Sequence, residues 1–176
     1  ATGKQEVAGA EIEIVDSKGN TAQMWDETQK KFVDAKWTSD TKPQTITGLT
    51  GGETYTLKET TAPQGYEVTT DTQFTLKKDG TVDTSSVQNP TTIGTSGNLK
   101  GVLLVEDDMT VVKISKVDII SSAEIAGAKI EILESDGKTV AQMWDSTDKK
   151  FVDAKWTSGT SAQEIVGLTG GKTYVL

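Results

Sequence analysis

The 176-residue chain contains no cysteine and no histidine, and each absence excludes a class of site. Disulfides cannot stabilise the fold, and neither a Cys/His zinc site nor a histidine-based catalytic triad can form. No segment approaches the roughly 20 consecutive apolar residues that a membrane-spanning helix needs. The net charge of −8, without a basic stripe, argues against nucleic acid and anionic membrane surfaces as partners. We expect no metal, no cofactor, no nucleic-acid partner and no insertion into a membrane.

Proline is also scarce, with 3 residues against 17 glycines, whereas threonine and valine recur in short alternating runs. This composition is typical of short strands joined by tight turns. No window shows convincing helical periodicity. We predict an all-β fold made of immunoglobulin-like antiparallel β-sandwich domains.

The sequence is internally repeated. The segment EVAGAEIEI at 6–14 returns as EIAGAKIEI at 124–132, and KKFVDAKWTS at 30–39 returns unchanged at 149–158. A spacing of about 119 residues is too long for a solenoid unit and suits a whole domain. The chain is therefore predicted to hold two tandem copies of one domain.

The two copies begin and stop at different points of the repeat. The second copy opens with VVKISKVDII, which has no counterpart in the first, and it stops where the first continues with KETTAPQGYEV. We expect a first domain over 1–109 that lacks its opening lysine-bearing strand. Over 110–176 we expect the N-terminal part of a second domain that lacks its closing strands. Both ends of the chain are interpreted as truncations.

Alternation with a period of two residues, together with turn residues, predicts where the strands lie. The segment at 91–98 is predicted to be a loop. The predicted strands are 9–16, 21–26, 43–49, 53–60, 72–77 and 101–107 in the first copy, and 111–118, 127–134, 139–145, 163–168 and 172–176 in the second.

Three of these strands carry an ionisable residue on the face that the alternation turns towards the core. The three residues are Lys116, Glu59 and Asp107, and each shares its face with two apolar neighbours. A buried lysine held as a neutral amine is a nucleophile, and an un-ionised carboxyl group can accept it. With a second carboxyl group carrying protons, such a set can form a Lys–Asp amide with loss of water. Strands also often end in a charged residue where the core meets solvent, so a purely structural interpretation stays open.

The stretch GLTGGETYTLKETTAPQGYEV at 48–68 resembles the Y-x-L-x-E-x-x-A-P-x-G-Y motif of SpaA-like, Cna B-type domains. KISKVD followed by AGAKIEI resembles their opening strand and its successor, and VLLVEDDMT resembles their closing strand and linker. The resemblance covers almost the whole chain. It implies a prealbumin-like fold, occurrence in surface proteins of Gram-positive bacteria such as pilins and adhesin stalks, and an extracellular position at the cell wall.

The resemblance also implies intramolecular isopeptide bonds. By position, Lys116 is then the amine donor, Glu59 the proton-shuttling residue and Asp107 the acceptor, while Glu106 and Asp108 leave the acceptor open by one position. Glu59 and Asp107 belong to the first copy, whereas Lys116 belongs to the second. Only eight residues separate Asp107 from Lys116, too few for the crossover that parallel neighbouring strands require. We predict that no complete isopeptide triad forms within this chain.

Two classes of function follow. The first is a structural stalk module of an adhesin or pilus-like protein, whose partners are neighbouring repeats of the same protein. The second is a binding module in which Trp25 and Trp37 recognise a polysaccharide or a host matrix protein. Packing between strands is the commoner use of tryptophan and competes with the second class. A hydrolytic enzyme has only strand-end carboxylates in its favour, and we expect the chain not to be an enzyme.

Overall fold

The computed structural model describes residues 6–88, 93–94 and 101–176, and these residues form strands, turns and irregular loops. The all-β prediction is confirmed. The chain divides into two compact units. Unit 1 contains the described residues up to Pro63 together with those of Val68–Asp107, and unit 2 contains Gln64–Glu67 and Asp108–Leu176. Within the described ranges there is no helix with the length and apolar character needed to cross a membrane.

Unit 1 is built on a five-stranded antiparallel sheet and a separate hairpin. The sheet has the order β4-β1-β5-β6-β7, and β2 pairs with β3 in the hairpin. The strands are β1 (Glu11–Asp16), β2 (Gln23–Asp26), β3 (Lys31–Asp34), β4 (Lys36–Thr38), β5 (Thr54–Thr61), β6 (Thr72–Leu76) and β7 (Val82–Asp83).

The core of unit 1 lies on one face of this sheet because apolar residues alternate along its three central strands. Ile14 of β1, Leu57 of β5 and Phe74 of β6 are buried in one cluster. Trp37 of β4 packs against the same cluster from the edge of the sheet. This arrangement fixes which side of β5 faces inward, and it therefore sets the environment of every second residue of that strand.

Unit 2 is built from four strand pairs around a smaller core. The pairs are β8 with β14, β9 with β13, β10 with β15 and β11 with β12. Ile165 is fully buried at the centre of the core. The strands are β8 (Val111–Ile114), β9 (Lys129–Glu131), β10 (Leu133–Glu134), β11 (Gln142–Asp145), β12 (Lys150–Asp153), β13 (Lys155–Thr157), β14 (Gln163–Val166) and β15 (Tyr174–Val175).

The repeated sequence makes the same local contacts in both units. In unit 1, Ser39 Oγ accepts a hydrogen bond from the Ala10 amide at 2.9 Å and donates one to the Val7 carbonyl at 2.8 Å. In unit 2, Ser158 makes the same pair of bonds at 2.9 and 2.7 Å. The hydroxyl of Ser39 or Ser158 therefore ties the start of one strand to the end of another in each copy.

Some strand predictions differ from the structure. Residues 43–49 and 101–107 form no regular strand, although Leu103 makes an isolated bridge to Ile93. Pro43 has no amide hydrogen to donate to a ladder, which weakens the first of these segments as a strand. Most of the loop predicted at 91–98 lies outside the described residues. The hairpin strands and edge strands of the KKFVDAKWTS segment were not predicted in either copy.

Candidate functional site

Glu59 lies on the inward face of β5 and is only 5% exposed. The predicted alternation of this strand is confirmed, because Tyr55, Leu57 and Glu59 are all buried. Lys58 points to the opposite face, where its ammonium group pairs with the Asp71 carboxylate at 2.9 Å. A carboxyl group thus occupies a position that the strand otherwise gives to core residues, and burying it is costly unless it is neutral or paired.

Backbone and side-chain bonds of Thr69 connect Glu59 to the segment that carries Asp107. Glu59 Oε2 accepts a hydrogen bond from the Thr69 amide at 2.7 Å, and Thr69 Oγ1 donates to the Glu106 carbonyl at 3.0 Å. Glu59 Oε1 is buried, and no N–H or O–H group of the described residues donates to it. The side chain of Asp107 is the neighbour that interacts with Glu59 electrostatically and by hydrogen bonding. The structure therefore brings together two of the three predicted site residues.

Burial raises the pKa of Glu59 from 4.5 to about 7. The hydrogen bond from the Thr69 amide opposes this shift, whereas the negative charge of Asp107 and a hydrogen bond to it add to the rise in pKa. The hydrogen bond to Asp107 stabilises the protonated form of Glu59, which acts as the donor. A carboxyl group with a pKa near neutrality can both take up and release a proton at physiological pH, which suits general acid–base chemistry.

A groove of about 270 Å³ in unit 1 leads to Asp107. One wall comes from residues that precede or begin β1, and another comes from the segment that ends at Asp107. Its lining is mixed, with apolar and polar residues in similar proportion. The apolar lining consists of Val7, Ala10, Ile12, Trp37, Pro43 and Val102–Val105, and the polar lining includes Ser39, Asp40, Lys42 and Glu106.

Lys116 belongs to unit 2 and is exposed. It follows β8, which pairs only with β14 within the described part of unit 2, and Val112 on the same predicted face is 42% exposed. Ile114 of the same face packs against the core of unit 2, so the predicted face is directed inward there, but Lys116 itself is not buried. Alternation identifies the side chains that share a face, but another layer must cover that face before it becomes a core. The role of Lys116 as amine donor stays a prediction.

The tryptophans pack between strands in both copies. All four are half-buried, and Trp37 and Trp156 contact the cores of their units. Trp25 meets Phe32 edge-to-face at 5.3 Å between ring centroids. This contact was missed because KKFVDAKWTS was not predicted to form strands, although its unchanged return in the second copy was a signal that it has a structural role.

Unit 1 is thus a small antiparallel all-β unit in which buried Glu59 lies beside half-buried Asp107 at a groove. The chain belongs to the SpaA family of prealbumin-like fold domains, whose sequence pattern matches residues 1–91. The matched range includes Glu59 and the whole five-stranded sheet, whereas Asp107 and Lys116 lie beyond it. The family resemblance predicted from the sequence is confirmed. No curated protein matches the chain.

Proposed function

We propose that this chain is a structural module of a Gram-positive surface protein, either a pilin or an adhesin stalk, exposed at the cell wall. We also propose that Glu59 and Asp107 are the proton shuttle and the acceptor of an isopeptide bond. The observation that carries this proposal is the interaction of buried Glu59 with the half-buried side chain of Asp107 in unit 1. Membership of the SpaA family supports the structural role.

The proposed reaction is a condensation between a lysine amine and the Asp107 carboxyl group. Glu59 first passes its proton to Asp107, which supplies the acceptor with its hydroxyl group. The neutral amine attacks the carboxyl carbon of Asp107 and forms the new C–N bond. Glu59 then accepts a proton from the nitrogen and delivers it to that hydroxyl group, which leaves as water. No oxidant or reductant takes part. The pKa of Glu59, raised to about 7 by burial, fits a residue that must accept and release a proton within one reaction.

The groove beside Asp107 offers a position for the strand that brings the amine. The apolar part of its lining suits the aliphatic inward residues of a strand, and Asp107 at the groove suits a lysine at the last inward position. The segment 111–118 of the repeat has this pattern, with Val112, Ile114 and Lys116 at alternate positions. A covalent bond between such a strand and the segment that ends at Asp107 would keep the domain closed when the two ends of the chain are pulled apart.

The alternative function, recognition of a polysaccharide or a host matrix protein through tryptophans, has no specific observation in its favour. Trp25 and Trp37 are half-buried and contact their own unit. We therefore assign them to packing.

A capped peptide of sequence VVKISKVD, corresponding to 111–118, tests the proposed chemistry. Incubation with the whole chain at neutral pH is expected to give an adduct whose mass is that of the chain plus the peptide minus one water. The variants Glu59→Gln and Asp107→Ala should give no adduct, and a peptide carrying Lys116→Arg should not react. Exposed Glu53→Gln is the matched control and should react like the unchanged chain.

Two results would contradict the proposal. The first is the absence of an adduct although NMR shifts place the peptide in the groove. The second is an adduct that forms equally well with Asp107→Ala, which would mean that another carboxyl group reacts.

A further inference from the structure

One surface occurs in both units and is made from identical sequence. In unit 1 it consists of Phe32 and the turn 48–51, and in unit 2 it consists of Phe151 and the turn 167–170, both turns reading GLTG. We call it the Phe–GLTG face. In each unit the phenylalanine ring meets a tryptophan edge-to-face at 5.3 Å between centroids. The two faces are therefore built alike, and any difference between them arises from what covers them.

In unit 2 the Phe–GLTG face is covered by the segment Gln64–Glu67. A Cβ atom placed on Gly65 would lie 2.7 Å from Cζ of Phe151, so the ring touches the glycine backbone directly. Two hydrogen bonds accompany this contact. The Gly65 amide donates to Thr169 Oγ1 at 3.1 Å, and the Gly170 amide donates to the Tyr66 carbonyl at 3.0 Å.

Thr110 completes the cover over the same face of unit 2. Its amide donates to the Gly65 carbonyl at 3.2 Å, its carbonyl accepts from the Gly167 amide at 2.9 Å, and its hydroxyl donates to the Leu168 carbonyl. Gly65 and Thr110 therefore both bind the turn 167–170. The turn atoms that they contact are present in every copy of the GLTG sequence.

In unit 1 the equivalent face is open to solvent. Phe32 is 55% exposed, and Gly48, Thr50 and Gly51 are exposed as well. Their counterparts in unit 2 are all half-buried or buried. The Phe–GLTG face of unit 1 therefore presents a half-exposed phenylalanine ring and accessible amide and hydroxyl groups. The same groups are in contact with a bound segment in unit 2.

We propose that the Phe–GLTG face of unit 1 is a docking site for the Gln64–Glu67 segment of a further copy of the repeat. The segment would place its glycine on Phe32 and would form with Thr50 and Gly51 the bonds that are made in unit 2. Such a contact joins two different surfaces of the repeat, so it extends head to tail and adds one repeat at a time. The inference does not depend on the isopeptide chemistry proposed above.

A capped peptide covering 61–70 (TAPQGYEVTT) tests the proposal on the whole chain labelled with ¹⁵N. Millimolar peptide is expected to shift the amide resonances of Gly48, Thr50 and Gly51. The resonances of the equivalent turn in unit 2 should stay in place, because that face is already covered. A peptide with Gly65→Ala is the matched control, and it should not bind because its methyl group would collide with the phenylalanine ring.

Two variants of the chain separate specific docking from adhesion to an exposed ring. Thr50→Val, an exposed and nearly isosteric change, removes the hydroxyl acceptor and is expected to weaken peptide binding about two- to tenfold. Thr169→Val changes the equivalent residue of unit 2 and should leave the affinity for the peptide unchanged. Absence of shifts at millimolar peptide, equal binding of the Gly65→Ala peptide, or equal affinity of the Thr50→Val variant would each overturn the proposal.

Discussion

Replacing Glu59 by glutamine should make unit 1 more stable at neutral and alkaline pH. Burial raises the pKa of Glu59 to about 7, whereas the same group has a pKa of 4.5 without its folded environment. Between these two values the folded chain keeps a proton that the unfolded chain has lost. The free energy of unfolding therefore falls as pH rises through this window. Glutamine has the shape of the protonated side chain and does not ionise. The free energy of unfolding of the Glu59→Gln variant therefore should not fall in this pH window.

The expected gain follows from the size of the pKa shift. The full shift corresponds to about 3 kcal/mol above pH 7, and partial access of solvent to an ionised carboxylate reduces this, so we expect about 1–3 kcal/mol. Below pH 4.5 both forms of the protein carry an uncharged side chain at this position, and the difference should vanish. The glutamine carbonyl can still accept the bond from the Thr69 amide, and its amide can donate towards Asp107.

Urea unfolding at a series of pH values from acid to alkaline, followed by NMR, measures this effect. Resonances of Phe74 report on unit 1, and resonances of Ile165 report on unit 2 as an internal control. The gain should appear only in unit 1 and only above the acid range. Glu53→Gln, at an exposed position of the same unit, should lack it. A Glu59→Gln variant that is equally destabilised at every pH would refute the reasoning, because it would show that Glu59 is an ordinary ionised partner.

Other expected outcomes concern hydrogen bonds, a close backbone contact and the mass of the chain. Ser39→Ala and Ser158→Ala should each destabilise their own unit by about 1–2 kcal/mol in urea unfolding, because a backbone amide loses its acceptor; a loss in the other unit would contradict this. Gly65→Ala should cost unit 2 about 2–4 kcal/mol, since φ is 88° and the methyl group would meet Phe151 at 2.7 Å. Gly127→Ala, with φ of 91° and open space around it, should cost only about 1–2 kcal/mol, and equal losses would disprove the close contact. Intact-mass measurement should give the unmodified mass of the sequence, and loss of one water would show that a triad forms within the chain.

The position of Glu59 could be predicted from the sequence because β5 is long and regular. Its first six residues alternate between half-buried and buried, and apolar residues occupy the same face as the carboxyl group. Turn residues on both sides limited the strand to nearly its observed length. The partner Asp107 was also predicted, although its segment is not a regular strand, because its alternation places it on the same side as Leu103 and Val105, which pack against the core.

The environment of Lys116 could not be predicted in the same way. Its alternation is as regular as that of β5, but β8 has only one neighbouring strand within the described part of unit 2. Ile114 packs against the core, whereas Val112 and Lys116 on the same predicted face are exposed. The strands in KKFVDAKWTS could not be predicted for a different reason. They are three or four residues long and are separated by Ala35 alone, so neither shows enough alternation to stand out. Pairing with β1 and β2 makes them strands, and such pairing is a tertiary property.

Tandem mass spectrometry of the adduct between the chain and the VVKISKVD peptide tests the central claim most directly. The account predicts one cross-link, between the lysine equivalent to Lys116 and Asp107, with Glu106 and Asp108 unmodified and with no cross-link in the Glu59→Gln variant. A cross-link at either neighbouring acid, or one that forms unchanged without the Glu59 carboxyl group, would contradict the assignment of Glu59 as shuttle and Asp107 as acceptor.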